Sequence, residues 1–286
     1  MSHARVEPGL AIALDAGPTH GELVLCVHGF PDTPHSFAPL VAALAAAGYR
    51  AVAPHLRGYA PSPLTGPFHA DQLGDDLLAL AARLSPDRPI ALVGHDWGAV
   101  ATYAACARAP ARIRRAVTLA VPHPRAFFAG LGRHPRQLLR SRYMLLFQLR
   151  GVAERLLARN DFAAVDRLWR AWSPGLAPPP ELLVDVKRTL AASLPAPLAM
   201  YRALAWPPAD ALARARSARP VATPLLHLHG ADDGCIGPEL AAEQPRWCSG
   251  PFASEVLPGV GHFLHVEAPD EIVRRVLTWL AAAGES

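Results

Sequence analysis

Ile90-Ala91-Leu92-Val93-Gly94-His95-Asp96-Trp97-Gly98 is a short apolar run that ends in a glycine-flanked acid, and Trp97–Arg108 beyond it carries a helical pattern. An uninterrupted apolar run of this length suits a strand covered on both faces. A strand that enters a helix through a G-x-D-x-G turn projects its central side chain from a sharp, strained bend. Asp96 is therefore a candidate nucleophile. Asp is also a common helix N-cap, but a cap does not call for a glycine on either side.

Working outward, Leu23–Val27, Ala51–Ala53, Ala116–Val121, Leu225–Leu228 and Ser254–Leu257 read as further strands. Ser36–Ala47, Asp71–Leu84 and Asp270–Ala282 read as helices, the last opened by Pro269-Asp270-Glu271. This alternation predicts an α/β protein with a mostly parallel central sheet and helices on both faces. It breaks between Pro122 and Pro220, a stretch that reads as helical between proline clusters, and resumes with a strand at Leu225. The expected organisation is a core of residues 1–121 and 221–286 with a helical cap, 122–220, inserted between two strands of one sheet. A chain of 286 residues accommodates one large domain with such an insertion.

Apolar residues make up 51% of the chain and charged residues 18%, which excludes a disordered protein. No apolar run reaches the length of a membrane span, and Met1–Leu14 lacks the pattern of a signal peptide. The four cysteines form no C-x-x-C pair. A reducing cytoplasm without disulfides, zinc or other cofactor is expected. Residues 122–220 hold 16 basic and six acidic residues, against 12 and 18 in the remainder. The basic residues are scattered without interleaved aromatics, so neither nucleic acid nor a membrane is an expected partner. The expectation is a basic segment that is solvated or rests on an acidic core, in a monomer or homodimer that acts on a small molecule.

A carboxylate attacks carbonyls poorly but displaces a leaving group from saturated carbon, forming an alkyl ester that water must then cleave. That second step needs a base and an oxyanion hole. The strand at Leu225 ends in His229-Gly230-Ala231-Asp232-Asp233-Gly234, and the strand at Ser254 leads to Gly259-Val260-Gly261-His262-Phe263. The chain order nucleophile, acid, histidine is a working catalytic order. His262 would activate water, oriented by Asp233 or, alternatively, Asp232. Val27-His28-Gly29-Phe30-Pro31 ends the first strong strand. Its turn would set the Phe30 N–H beside that of Trp97 as an oxyanion hole. His28, Pro31 and Phe263 fall near the expected pocket. His95 reads as structural, and His265 is less well placed than His262. His227 and His229 share a strand face, where packing is favoured over metal ligation.

Taken together, these residues resemble the α/β-hydrolase fold and, within it, the epoxide hydrolase branch, over nearly the whole chain. Leu56-Arg57-Gly58-Tyr59 is similar to the family's R-G-Y segment, and Val121-Pro122-His123-Pro124 to the segment leading into its lid. Tyr143–Gln148 with Gly151–Glu154 resembles the first lid tyrosine region, and Pro197–Arg202 the second. The resemblance implies an epoxide hydrolase that makes a vicinal diol through an Asp96 ester. Tyr143 and Tyr201 would bind the epoxide oxygen, one of them protonating it. It also implies a pocket shaped by lid side chains such as Phe147 and Trp206. His55, Ala60 and Ala120 depart from the family, which often has Asp and Gly around R-G-Y and Asn before V-P-H. A haloalkane or haloacid dehalogenase would use the same Asp/His/Asp set. The former needs halide donors that Phe30 does not supply, and the latter usually has arginine where Trp97 stands. A non-catalytic ligand-binding member of the fold would be free to lose catalytic residues, all of which are present.

Overall fold

The computed structural model describes residues 9–205, 207–208 and 219–282, and its centre is one seven-stranded sheet. The strands are β1 (Ile12–Ala16), β2 (Leu23–Val27), β3 (Arg50–Pro54), β4 (Ile90–His95), β5 (Ile113–Leu119), β6 (Leu225–Gly230) and β7 (Phe252–Leu257). Their order is β1-β3-β2-β4-β5-β6-β7. β1 runs antiparallel to β3, and every other neighbour pair is parallel. β2, β4 and β6 are buried along their whole length, which is why their sequences run apolar without alternation. The α/β class expected from the strand–helix alternation is the one observed.

Two apolar layers sandwich the sheet. One face packs on α1 (Ala38–Ala46), through Leu40 and Leu44, and on the C-terminal helix Pro269–Ala281, through Ile272 and Val276. The other face packs on α2 (Ala70–Leu84) and α3 (Trp97–Arg108). Between β5 and β6 the chain is helical: α4 (Pro124–Leu131), α5 (Arg136–Arg140), α6 (Arg142–Phe147), α7 (Val152–Trp172), α8 (Pro180–Ser193) and α9 (Ala196–Ala203). α7 is broken where Asn160, Asp161 and Phe162 take positive φ. This insertion shares the α2–α3 apolar layer through Phe147, Val165, Trp169 and Tyr201. Polar bonds fasten it too: the Trp169 indole donates to the Pro31 carbonyl at 2.8 Å, and the Thr33 hydroxyl donates to Asp185 at 2.8 Å. Its return to the sheet passes through residues outside those described.

Two strands differ from the sequence reading. β1 was not expected. It is a half-exposed edge strand of sequence IALDA, in which an acid and two alanines dilute the apolar signal. β5 starts at Ile113 rather than Ala116, because Arg114 and Arg115 mask its first turn; the Arg115 guanidinium stacks over Trp279 at 5.0 Å. β5 also ends earlier, because Ala120 takes φ 68 and turns the chain out of the strand. Ala120 is the position where the resembled family often has Asn, a residue that tolerates this conformation.

The Cβ at Ala120 costs about 1–2 kcal/mol in that conformation, and the extra unfolded-chain freedom of glycine offsets roughly half of this. Ala120→Gly is therefore expected to stabilise the fold by about 0.5–1 kcal/mol, raising the melting temperature by about 2 °C. A lower melting temperature would mean that methyl packing at this buried site outweighs the strain.

Candidate active site

β4 ends at His95 and α3 begins at Trp97, which leaves Asp96 alone at the bend with φ 53 and ψ −117. The bend is possible because the chains cross at contact distance. A Cβ on Gly98 would overlap the Val27 carbonyl, and one on Gly29 would overlap the Asp96 side chain. Asp96 occupies the N-cap position but makes no capping hydrogen bond. Instead its Oδ1 accepts the Phe30 backbone N–H at 2.7 Å. The turn carrying Phe30 thus reaches Asp96 as expected. The Trp97 N–H borders the same turn, where the Gly29 Cβ position lies 2.6 Å from its nitrogen. Among the described residues only the Phe30 N–H, of the two expected donors, bonds the carboxylate.

On the other side of Asp96 lies His262. Its Nε2 stands 3.7 Å from Asp96 Oδ2, with no hydrogen-bond partner, and its Nδ1–H donates to Asp233 Oδ2 at 2.8 Å. Asp233 Oδ1 accepts two backbone N–H groups, from Cys235 at 2.7 Å and Ile236 at 2.8 Å. Asp233 is buried, whereas Asp232 is exposed and faces away from His262 with only its backbone bonded, to the Val260 carbonyl. The structure thus brings Asp233 to the histidine. Burial alone would lower the His262 pKa, but the charge and hydrogen bond of Asp233, reinforced by Asp96, raise it to about 10.

The two tyrosines converge on the same spot from the insertion. Tyr201, buried, packs edge-to-face on Trp97 at 5.1 Å and on Phe30 at 5.4 Å. Among the described residues its hydroxyl has no hydrogen-bond partner. Tyr143 lies 5.7 Å from Tyr201 between ring centroids, and its hydroxyl meets the Cys235 thiol at 3.4 Å. Burial first, then neighbours including Asp96, hold both phenols well above their usual pKa, so each is protonated at neutral pH. Phe147 closes the cluster against Phe30, Tyr143 and Tyr201.

A family model described as alpha/beta hydrolase fold matches residues 22–269. The chain belongs to the α/β-hydrolase fold family. It is 30% identical to Epoxide hydrolase 3 of Xenopus tropicalis over 93% of this chain and 73% of that protein, which groups this α/β hydrolase with the epoxide hydrolase branch. It is 29% identical to the AB hydrolase superfamily protein YfhM of Bacillus subtilis, over 93% of this chain and 92% of that protein. A crystal structure of Bacillus megaterium epoxide hydrolase in complex with an inhibitor shares the fold. The two agree with a TM-score of 0.83 at 23% identity, over 95% of this chain and 97% of that one.

Other expected pocket residues of this α/β hydrolase are placed differently. His28 is fully buried, its Nδ1–H donates to the Gly29 carbonyl at 3.0 Å, and its Nε2 accepts the Leu56 N–H at 3.1 Å. It braces the turn rather than facing a substrate. Pro31 is buried under Trp169, and Phe263 stacks flat on the Trp169 ring at 3.7 Å. Phe263 therefore supports the neighbouring His262. Trp206 lies outside the described residues.

Three features escaped the sequence reading. Cys235 touches both Asp233, through its backbone, and Tyr143, through its thiol. No local motif marks it. The Trp172 carbonyl accepts the backbone N–H of His262 at 3.0 Å and of Gly234 at 3.1 Å, joining the insertion to the loops that carry His262 and Asp233. Third, a buried polar group lies behind the elbow. Asp32 accepts from Ser36 Oγ at 2.8 Å, with His265 Nε2 at 3.3 Å and His95 Nδ1 at 3.9 Å. His95 in turn donates to the His262 carbonyl at 3.0 Å. Asp32, His95 and His265 could hold a metal ion by the spacing of their ligand atoms. Their hydrogen bonds already give them a bracing role. His227 and His229 form a directed chain: Thr118 to His227 at 3.0 Å, His227 to His229 at 3.2 Å, and His229 to the Ile236 carbonyl at 2.9 Å. This chain steadies the loop that presents Asp233.

Because Asp96 is one of the two carboxylates that raise His262, Asp96→Asn should lower the His262 pKa by about one pH unit or more. Imidazole NMR titration of the two proteins checks this. An unchanged titration would assign the whole effect to Asp233.

Proposed function

We propose that the protein converts a small epoxide to a vicinal diol through an alkyl ester on Asp96, beneath a helical lid formed by residues 122–220. The observation that carries this reading is the pair of protonated phenols beside Asp96, Tyr201 buried and Tyr143 partly buried, the former with a hydroxyl that has no partner among the described residues. The names of the relatives in the epoxide hydrolase branch support it.

The first step is displacement. Asp96 Oδ2, on the open side of the carboxylate, attacks an epoxide carbon. The ring C–O bond breaks and the departing oxygen takes a proton from a tyrosine. Tyr201 is the better placed donor, since its hydroxyl competes with no protein bond, whereas Tyr143 must first leave Cys235. Oδ1 stays on the Phe30 N–H.

The second step is hydrolysis. Esterification removes the Asp96 charge that helps hold a proton on His262, so the imidazole becomes a base when one is needed. His262 takes a proton from water, the hydroxyl oxygen bonds to Asp96 Cγ, and Oδ1 becomes the oxyanion. Phe30 and Trp97 N–H groups stabilise it. Asp233 keeps the imidazole oriented and offsets its positive charge. Collapse expels the diol oxygen, which takes the proton from His262, and the proton left on the Asp96 carboxyl returns to the tyrosine, so that carboxylate, imidazole and phenol are all restored. The hydrolysis rate should therefore rise with pH as the ester-state His262 loses its proton.

His262→Gln should form the ester but not cleave it, and the adduct should accumulate in intact mass spectra. In single turnover of the parent in heavy-oxygen water, label is expected in Asp96. Label mainly in the diol would mean direct attack by water and end the ester mechanism.

Halide departure from a haloalkane requires no proton, so the phenols also separate epoxide from dehalogenase chemistry. Tyr201→Phe and Tyr143→Phe should each slow epoxide alkylation, by up to about 10²–10³-fold, with the Tyr201 change the larger. The double variant should be nearly inactive in pre-steady-state alkylation. Alkylation by that variant within a few-fold of the parent would reduce the tyrosines to packing residues.

A further inference from the structure

The outer surface of the insertion is unlike the rest of the molecule. Leu138, Leu139, Leu145, Leu149, Val152 and Leu156 are exposed, with Leu145 at 74% and Leu139 at 66%. Half of the exposed large apolar side chains among the described residues thus fall between positions 138 and 156. Leu138 and Leu139 lie in α5, Arg142 and Leu145 in α6, and Leu149 just past its end, all exposed on the insertion. The same stretch is strongly basic. From 133 to 159 it has seven arginines and one acid, Glu154, which is paired with Arg202. Arg136, Arg142, Arg150, Arg155 and Arg159 make no ion pair among the described residues. Arg133 and Arg140 meet Glu243 and Glu239 of the core, and the other five arginines stand unmatched beside the apolar surface.

A groove of about 620 Å³ opens on this face between α6 and α7. Arg142, Leu156 and Arg159 line it, and its more buried lining includes Tyr143 and Phe147, which belong to the aromatic cluster beside Asp96.

We infer that this face, α5, α6 and the first half of α7, docks on an anionic lipid bilayer surface. Exposed leucines can enter the headgroup boundary while arginines remain at the level of the phosphates. Charge complementarity selects this occupant. A second copy of the chain in a two-fold contact would set the same arginines against themselves. Nucleic acid would leave the leucines without apolar cover. Among the described residues no helix is long and apolar enough to cross a bilayer, so the contact is peripheral. Docking would place the groove mouth against the phase in which an apolar epoxide concentrates. That last point rests on the proposed function; the docking itself does not.

The test is co-sedimentation of the full chain with vesicles of phosphatidylglycerol and phosphatidylcholine, or of phosphatidylcholine alone. Binding is expected on the anionic vesicles, weakening as salt screens the charges. An arginine at an anionic surface is worth about 1 kcal/mol, roughly fivefold in partitioning. Arg150→Glu with Arg155→Glu should therefore lower binding by at least about 25-fold. Leu145→Ser with Leu149→Ser should lower it by about tenfold or more. All four side chains are exposed, and both double variants should keep the parent's melting temperature and its turnover of a water-soluble epoxide. Equal binding to both vesicle types, or a dimer in sedimentation equilibrium that Leu145→Ser with Leu149→Ser abolishes, would overturn the proposal. Anionic-vesicle binding by a protein that turns over no epoxide would uphold the docking face and remove only the epoxide reading.

Discussion

The site depends on a carboxylate held in a backbone conformation that an L-residue disfavours. Asp96 sits at φ 53 between a strand paired on both sides and a helix packed into the core. A residue so placed costs on the order of 1–3 kcal/mol and persists only where its surroundings over-determine it. Here the surroundings are the β4 ladder, buried α3, and the Val27–Gly29 chain pressed against the turn. A relaxed bend would free the side chain to cap its own helix, and the proposed nucleophile would be lost.

The same bend explains the polar arrangement around it. Three buried carboxylates, Asp32, Asp96 and Asp233, lie in the region between β2, β4 and β6, and each has at least one backbone N–H donor of its own. Such donors allow a carboxylate to remain charged away from water. The cationic counterpart is concentrated in one imidazole. His262 is raised, while burial, as the leading cause, lowers His28, His95 and His229. The neighbouring histidines therefore serve as neutral hydrogen-bonding braces. His262 is the one of these four that holds its proton, through Asp233 first and Asp96 second.

Much of this was legible in the sequence because it lies in short, local patterns. The elbow and the H-G-F-P turn each end a continuous apolar run, and the Asp233–Gly234 and His262–Phe263 loops follow the more mixed strands Leu225–Gly230 and Phe252–Leu257. In a parallel sheet those ends come together. What was not legible depends on contacts between distant segments. His28 carries no sign of its orientation, since its role is decided by the Leu56 N–H 28 positions away. Cys235 looks like any apolar cysteine until Tyr143, 92 positions away, is folded against it. The edge strand β1 needs only one partner and a half-buried face, and its composition is correspondingly plain.

The insertion is not a uniform cover over this framework. At the end of α7 the Trp172 carbonyl is bonded to the backbone of both His262 and Gly234, and the Trp172 ring lies 5.2 Å from the His262 ring. That end of the insertion cannot be displaced without loosening the histidine and the loop that carries Asp233. α6 and α9 are held to each other instead, by the Arg202 guanidinium on the Phe147 carbonyl at 2.9 Å and by Gln148 on the Tyr201 carbonyl at 3.1 Å. The two tyrosines therefore ride on one bonded unit, which meets Phe30 and Trp97 beside Asp96 through ring contacts and Cys235 through the Tyr143 hydroxyl. Ring contacts are non-directional and re-form after small shifts. The fold thus combines a rigid hydrogen-bonded seat for the proposed base with a largely apolar, adjustable seat for the proposed acid donors. A reaction that uses His262 at one fixed place and the phenols on oxygens of differing position would be served by that division.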